Sequence, residues 1–282
     1  MNDRSEKVRE ITALPIRSFV GDQASELEDL LSVEEPLEIR IAGGRTGAEP
    51  RSVAVTMRTP GDDDELAVGF LYTEGIISGF EQISGIHRRG CNVIEVRLAE
   101  PVEIDPAQLD RHSFIASSCG VCGKKSIAAV AARRKYHPRK PFPAIIPEII
   151  HKLPDALKLK QKSFGATGGI HAAGLFDGSG NLIIAREDVG RHNALDKLIG
   201  ACAAGSNLPL DDRIILVSGR ASFELVQKAA HAGATILAAV GAPSSLAVEL
   251  AQSSGMTLLG FVRGNRFNLY TAPDAVQAPA FC

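Results

Sequence analysis

Three short apolar runs in the last third of the chain constrain its fold more than any other feature. They are Arg213 to Ser218, Thr235 to Val240 and Thr257 to Val262. Each has the length and β-branched content of a buried strand. The segments between them, Ser222 to Ala232 and Ser245 to Gln252, have helical character. Short apolar strands alternating with helices predict an α/β layered unit with a largely parallel portion. Ligands of such sheets sit outside the carboxyl ends of the strands. The loops that meet this condition are Ser218 to Ser222, Gly241 to Ser244 and Arg263 to Arg266. They supply guanidinium groups from Arg220, Arg263 and Arg266, several hydroxyls and the starts of helices. That set suits an anionic, phosphorylated ligand. None of the loops matches the G-x-G-x-x-G or P-loop patterns, so a standard dinucleotide or ATP site is not expected.

The residues before these runs extend the same half. Thr167 to Phe176 reads as a strand, Asp177-Gly178-Ser179-Gly180 as a turn and Asn181 to Arg186 as the return strand of a hairpin. Arg191 to Ala204 reads as a helix with Leu195, Leu198 and Ile199 on one face. His171 follows two glycines, and a structural role and a site role weigh equally for it. Arg186, Glu187, Asp188, Arg191 and His192 form a dense polar set, either an acid–base constellation or a buried ion-pair network beneath the loops. The first part of the chain has a different texture. Ile11 to Val20 has strand character, and Asp22 to Leu31 is acidic. Pro36 to Ala42 and Ser52 to Arg58 alternate with period two, as paired half-buried strands do, joined through Gly43 to Glu49. A turn at Thr59 to Asp63 leads into a helix over Asp63 to Ser78, whose leading acids are those of a helix N-terminus rather than a metal site. Two more strands, Ile83 to Arg89 and Val93 to Leu98, flank Gly90-Cys91-Asn92, where Cys91 is incidental. These elements describe an α+β unit, and a boundary near Pro106 to Ser113 divides the chain into an N-terminal domain, 1–112, and a C-terminal domain, 113–282.

Between the halves lies Ser117-Ser118-Cys119-Gly120-Val121-Cys122-Gly123-Lys124-Lys125. Glycines give the segment conformational freedom. Lysine charge favours the thiolate, which is the nucleophile. The alanine-rich run from Ser126 reads as a helix start, whose unpaired N–H groups further stabilise an anion. Three chemistries use such a pair. A structural zinc half-site needs two further ligands, yet Cys91, Cys202 and Cys282 stand alone and no His-x3-5-His pair occurs. A dithiol–disulfide redox pair and a persulfide-carrying thiol both fit, and local chemistry does not separate them. From Arg111 through Pro147 there is no Asp or Glu, while Arg111, Lys124, Lys125, Arg133, Arg134, Lys135, Arg139 and Lys140 accumulate. The segment reads either as a solvated face or as a positive field for an anionic partner. Pro138, Pro141, Pro143 and Pro147 make its end irregular, and Ile149 to Leu159 reads as the next helix.

Composition narrows the partners. A formal net charge of −2, no tryptophan and 5% aromatic residues argue against a nucleic-acid binder. No apolar run is long enough for a membrane span, and Met1 to Lys7 lacks a hydrophobic signal region. An odd number of cysteines, five, argues against a secreted disulfide framework and points to a reducing cytoplasm.

The motifs taken together resemble the formate dehydrogenase accessory sulfurtransferase family (FdhD). The likeness rests on Ser-Ser-Cys-Gly-Val-Cys-Gly from Ser117, Thr-Gly-Gly-Ile-His from Thr167 and Arg-Glu-Asp-Val-Gly-Arg-His-Asn-Ala-Leu-Asp-Lys from Arg186. It continues in Ser-Gly-Arg-Ala-Ser-Phe-Glu-Leu-Val-Gln-Lys from Ser218 and Gly-Phe-Val-Arg-Gly-Asn-Arg-Phe-Asn-Leu-Tyr from Gly260, with Asp-Glu-Leu-Ala-Val-Gly-Phe-Leu from Asp64 upstream. The resemblance implies a sulfurtransferase that accepts sulfur from a cysteine desulfurase and passes it to the bis-molybdopterin guanine dinucleotide molybdenum cofactor of formate dehydrogenase. It implies a cytidine-deaminase-like three-layer α/β/α C-terminal domain, a smaller N-terminal α+β domain and a homodimer. It maps the persulfide to Cys119, the second thiol to Cys122, and the cofactor contact to Phe261, Val262, Arg263, Gly264, Asn265 and Arg266. No intrinsic metal is expected, because zinc deaminases need H-x-E and P-C-x-x-C. Here no His is followed two residues on by Glu, and Ser118 precedes Cys119. The competing readings are a thiol–disulfide oxidoreductase, which has no use for nucleotide loops, and a guanine-nucleotide-binding module, which has no use for Cys119.

Overall fold

The computed structural model describes residues 9–43, 49–99, 145–272, 274 and 276. Cys119, Cys122, Lys124, Lys125, the helix expected from Ser126, the acid-free basic stretch up to Lys140 and the boundary near Pro106 to Ser113 lie outside the described residues. The apolar runs form the expected strands. β9 (Ile214–Val217) and β10 (Ile236–Ala239) are buried along their whole length, and β11 (Thr257–Arg263) runs parallel beside β10. Near-continuous apolar character is what a parallel strand needs, because both of its faces are covered. Alternate residues go to opposite sides. Ile215, Val217, Leu237, Ala239 and Leu258 enter one core cluster; Ile214, Leu216, Ile236, Ala238 and Leu259 enter another.

The second cluster is closed by Ile150, Leu153 and Leu157 of helix α2 (Pro147–Lys158). The first is closed by α4 (Arg191–Ala204), α5 (Phe223–His231) and α6 (Ser245–Ser253), together with α1 (Asp63–Thr73) from the first part of the chain. A six-stranded sheet therefore has helices on both faces. Its order is β12-β11-β10-β9-β7-β8, with β7 (His171–Phe176), β8 (Leu182–Asp188) and β12 (Arg266–Leu269) antiparallel to their neighbours. A four-stranded sheet, β4-β3-β6-β5, contributes Leu37, Ile39, Ile41, Val53, Ile94 and Val96 to the same cluster as α1 and α4. Its strands are β3 (Glu35–Gly43), β4 (Arg51–Arg58), β5 (Ile83–Arg88) and β6 (Val93–Leu98). Among the described residues β1 (Ile11–Val20) and β2 (Gln23–Ser32) pair only with each other.

α1 and α4 meet backbone to backbone. A Cβ on Gly69 would lie 1.8 Å from the carbonyl oxygen of Asp196, and one on Gly200 would lie 1.9 Å from that of Glu65. Buried charges lock the crossing. Lys228 of α5 donates to Asp196 at 2.8 Å, to Thr73 Oγ1 at 2.9 Å and to Glu74 at 3.3 Å. The acids at the start of α1 all find cations: Asp63 takes a fork from buried Arg58 at 2.9 and 3.0 Å, Asp64 takes Arg88 at 3.1 Å, and Glu65 takes Arg186 at 2.7 Å. Arg58 also reaches the carbonyl of Cys91 at 3.2 Å, so the turn between β5 and β6 is tied to the same helix start.

Three expectations need correction, and one strand lies where the sequence showed only acidity. The acidic segment after Val20 is a strand: β2 pairs with β1 in full register, and its residues Gln23 to Leu31 are all exposed. α1 ends at Thr73 rather than continuing to Ser78, because Gly75 takes φ +73 and its N–H folds back to Tyr72. β7 starts at His171, since Lys162–Thr167 forms a short helix, α3, closed by Gly168 at φ +66. The strand ending at Arg263 is not the last: Gly264-Asn265 makes a two-residue turn into β12, a dipeptide that favours such hairpins.

Gly69→Ala should destabilise the protein by about 1–3 kcal/mol, since a methyl must push two helix backbones apart. At a few degrees per kcal/mol in a chain of this size, thermal unfolding should show a Tm lower by several degrees. Gly165→Ala, where open space surrounds the Cβ position, should leave Tm nearly unchanged.

Candidate functional site

Because β9, β10 and β11 are parallel, their carboxyl ends open on one edge of the sheet. β7 runs the other way, so its first residue, His171, reaches the same edge, paired with Asp188 at the end of β8. The loops there are stacked through their backbones. Gly241 donates its N–H to the Gly219 carbonyl at 2.9 Å and accepts the Phe261 N–H at 3.0 Å. Ala221 donates to Ala242 at 3.1 Å, and Ser244 donates to Ala221 at 3.0 Å. This closeness needs glycine: a Cβ on Gly260 would sit 2.8 Å from Pro243 and 2.9 Å from the Tyr270 ring.

Phe261 is held in the left-handed region, φ +54, where the ladder between β11 and β12 bulges between Gly260 and Arg263. An aromatic residue there is uncommon, at a cost on the order of 1–3 kcal/mol, and such strain clusters at ligand sites. Two guanidinium groups lie near the Phe261 ring, with Arg263 Cζ at 5.9 Å and Arg266 Cζ at 5.7 Å from its centroid. Val262 turns inward and is fully buried, so its side chain belongs to the core. Gly264 and Asn265 form the exposed turn between the arginines.

The polar set from Arg186 to His192 divides. Its first members are structural. Arg186 is held by Glu65. Glu187 accepts the N–H groups of Ser163 at 3.0 Å and Phe164 at 2.8 Å at the start of α3. Asp188 is fully buried, pairs with Lys197 at 2.8 Å and accepts from Gly190 N–H at 2.8 Å and Asn193 at 3.1 Å. Lys197 donates onward to the Thr59 carbonyl at 2.8 Å. The last members stand at the edge. His192 Nε2 lies 3.0 Å from Glu224 and 3.3 Å from Ser222 Oγ. His171 Nδ1 lies 3.5 Å from Ser218 Oγ, and burial first, then Arg191 and His192, hold its pKa below the ordinary histidine value.

The edge is electropositive. Arg58, Arg88, Arg89, Arg97, Arg186, Lys197 and Lys228 each have a carboxylate within 4.0 Å. Among the described residues Arg191, Arg220, Arg263 and Arg266 form no ion pair, and all four lie around the carboxyl ends of these strands. The sequence reading names Arg220, Arg263 and Arg266 as loop cations and places Arg191 in the dense polar set from Arg186 to His192, without separating it from the paired members of that set. No group of three or more His, Cys, Asp or Glu suited to a metal occurs among the described residues. Cys91 is exposed, whereas Cys202 lies in the core of α4, where burial pushes its thiol up to about 12.

The FdhD/NarQ family model matches residues 32–277. The chain belongs to the FdhD/NarQ family. Relatives in this family include the "Sulfur carrier protein FdhD" of Streptomyces coelicolor, 46% identical over 89% of this chain and 90% of its own length. That of Mycobacterium tuberculosis is 43% identical over 93% and 96%. The protein of the same name from Sulfurisphaera tokodaii is 42% identical over 88% and 92%. A crystal structure assigned as a formate dehydrogenase accessory protein from Desulfotalea psychrophila superposes with a TM-score of 0.73, covering 95% of this chain and 100% of that one. At 23% identity it shows the shared fold alone.

In this family member iodoacetamide at neutral pH should alkylate Cys91 and leave Cys202 unmodified until denaturant opens the core, as peptide mass mapping would show. Labelling of Cys202 in the folded protein would contradict its placement. The ring of His171 should titrate below the ordinary histidine range by NMR, and Arg191→Gln should move it upward, because a repelling cation is gone.

Proposed function

We propose that the chain is a sulfur carrier that moves persulfide sulfur from a cysteine desulfurase to the bis-molybdopterin guanine dinucleotide molybdenum cofactor destined for formate dehydrogenase. The names of its relatives support sulfur carriage. The observation that carries the ligand half is the Phe261 ring with Arg263 and Arg266 beside it, on an edge of unpaired cations. A purine stacks on an aromatic face, and guanidinium forks pair with phosphate or with the guanine edge. Among the assigned contact residues, Phe261, Arg263 and Arg266 act through side chains, Gly264 and Asn265 shape the turn, and Val262 anchors the strand.

In the proposed chemistry the Cys119 thiolate attacks the terminal sulfur of the donor persulfide. A new S–S bond forms, the old one breaks, and the donor cysteine departs as a thiolate. Lys124 and Lys125 favour the anionic forms. Cys122 then attacks the Cys119 sulfur, closing a disulfide and releasing sulfide toward the bound client. The cofactor is cargo, held by its nucleotide ends at the strand-end loops. A homodimer in the cytoplasm and a deaminase-like scaffold that has kept thiols without zinc belong to the same reading.

Incubation with a cysteine desulfurase and cysteine should add one sulfur to the intact mass of the wild-type chain. Cys119→Ala should abolish the adduct, and Cys91→Ser should retain it. An adduct that survives Cys119→Ala would remove Cys119 from its role, and no adduct at all would favour a nucleotide-binding module. Guanosine diphosphate should bind, with Arg263→Ala and Arg266→Ala each weakening it by about 10–100-fold, the loss of one charge-assisted contact. Unchanged binding would move the nucleotide away from the Phe261 turn.

A further inference from the structure

At the opposite end of this edge from Phe261, His171 and Arg191 face one another across Gly219. A Cβ on Gly219 would lie 3.4 Å from the His171 ring and 3.8 Å from Arg191 Cδ, so the glycine leaves a space about one methyl wide between the two side chains. The Arg191 side chain has neither a hydrogen bond nor an ion pair among the described residues, and its Nε is shielded from water with no acceptor. A shielded guanidinium donor without an acceptor is costly unless something else supplies one. The start of α4, fourteen residues long, adds to the demand. Its N-cap is Gly190, which makes no side-chain cap, and Ala194 is the first residue whose N–H returns to it. The N–H groups of Arg191, His192 and Asn193 come before the first such bond.

The nearby carboxylates are committed elsewhere. Asp188 is taken by Lys197, Gly190, Asn193 and Thr59, and Glu224 faces His192. The charged and titratable groups around His171 are Arg191, His192 and Asp188, with the Ser218 hydroxyl beside its ring. A guanidinium, a histidine pair, two hydroxyls and a helix start without a free carboxylate repel a cation and suit an oxyanion.

We infer that His171, Arg191 and the first turn of α4, opening at Gly219, form a subsite for a phosphoryl oxyanion. From the strand of Phe261 to that of His171 there are three strand spacings, about 15 Å. The subsite therefore takes the phosphate end of a nucleotide whose base stacks at Phe261. It rests on the proposed guanine-nucleotide reading for the identity of that ligand, but not for its affinity for phosphate. His171 donates a hydrogen bond, Arg191 supplies charge and an edge of donors, and the helix start supplies backbone N–H groups. No covalent step is involved.

Calorimetry on the full chain with inorganic pyrophosphate, guanosine and guanosine diphosphate tests the assignment. Pyrophosphate should bind, and the diphosphate should bind more tightly than guanosine. Arg191→Gln should weaken pyrophosphate and the diphosphate by about tenfold or more while guanosine is unaffected, and Arg191→Lys should recover part of the loss. Gly219→Ala, which fills the space with one methyl, should act in the same direction. The reciprocal variant Arg263→Ala should weaken guanosine and leave pyrophosphate alone. Pyrophosphate should also raise the pKa of the His171 ring in the wild type, since a bound anion favours the imidazolium, and should not do so in Arg191→Gln. Circular dichroism melts establish that each variant is folded. If pyrophosphate fails to bind, or Arg191→Gln lowers guanosine and the diphosphate equally, the subsite is overturned even where nucleotide binding stands. If pyrophosphate binds and shifts His171 while neither nucleotide binds, the guanine reading is overturned and the subsite stands.

Discussion

The contact on which the rest of the structure depends is the crossing of α1 and α4 at Gly69 and Gly200. Two helix backbones touch there, which only glycine permits. The approach brings the first part of the chain against the six-stranded sheet and lets one apolar cluster run through both sheets. It also determines where α4 begins. The start of α4 stands at the edge of β7, β8 and β9, so the helix that braces the interior presents Arg191 and His192 to the site.

Charge is distributed by the same logic. Among the described residues each buried cation meets a carboxylate: Arg58 with Asp63, Lys197 with Asp188, Lys228 with Asp196. Breaking one partner of such a buried pair typically costs about 3–5 kcal/mol, so these pairs keep the elements in register more than they add net stability. At the carboxyl ends of the parallel strands the pattern reverses, and Arg191, Arg220, Arg263 and Arg266 have no carboxylate among the described residues. The strained backbone at Phe261 lies on the same edge. Unpaired charge and an unfavourable backbone angle in one place are costs that a bound anion with an aromatic base would offset.

Much of this was readable in the chain itself. Ile214 to Val217 and Ile236 to Ala239 announce buried parallel strands because they lack polar alternation, and the period-two pattern of Leu37, Ile39 and Ile41 announces a half-covered sheet. Boundaries were less legible. Gly75 and Gly168 end their helices through positive φ, a property of backbone geometry that glycine allows without requiring. The turn at Gly264-Asn265 carried a hairpin signal, which the apolar run before it concealed. β2 carries no strand signal, because its acidic residues break the apolar alternation and β1 is its only strand partner among the described residues.

The amino-acid sequence by itself determined the class of sheet, the glycine-framed Cys119 and Cys122, and the cationic loops around Phe261, because periodicity, spacing and side-chain chemistry are properties of neighbours along the chain. Only the tertiary structure decided which of the charges between Arg186 and His192 are spent on packing and which face the site. That choice depends on residues far away in sequence. Glu65 claims Arg186 and Lys197 claims Asp188, and among the described residues nothing claims Arg191. A charge has no role until its neighbours in space are known, since the strength of an ion pair depends on distance and burial, and neither can be read from adjacency in the chain.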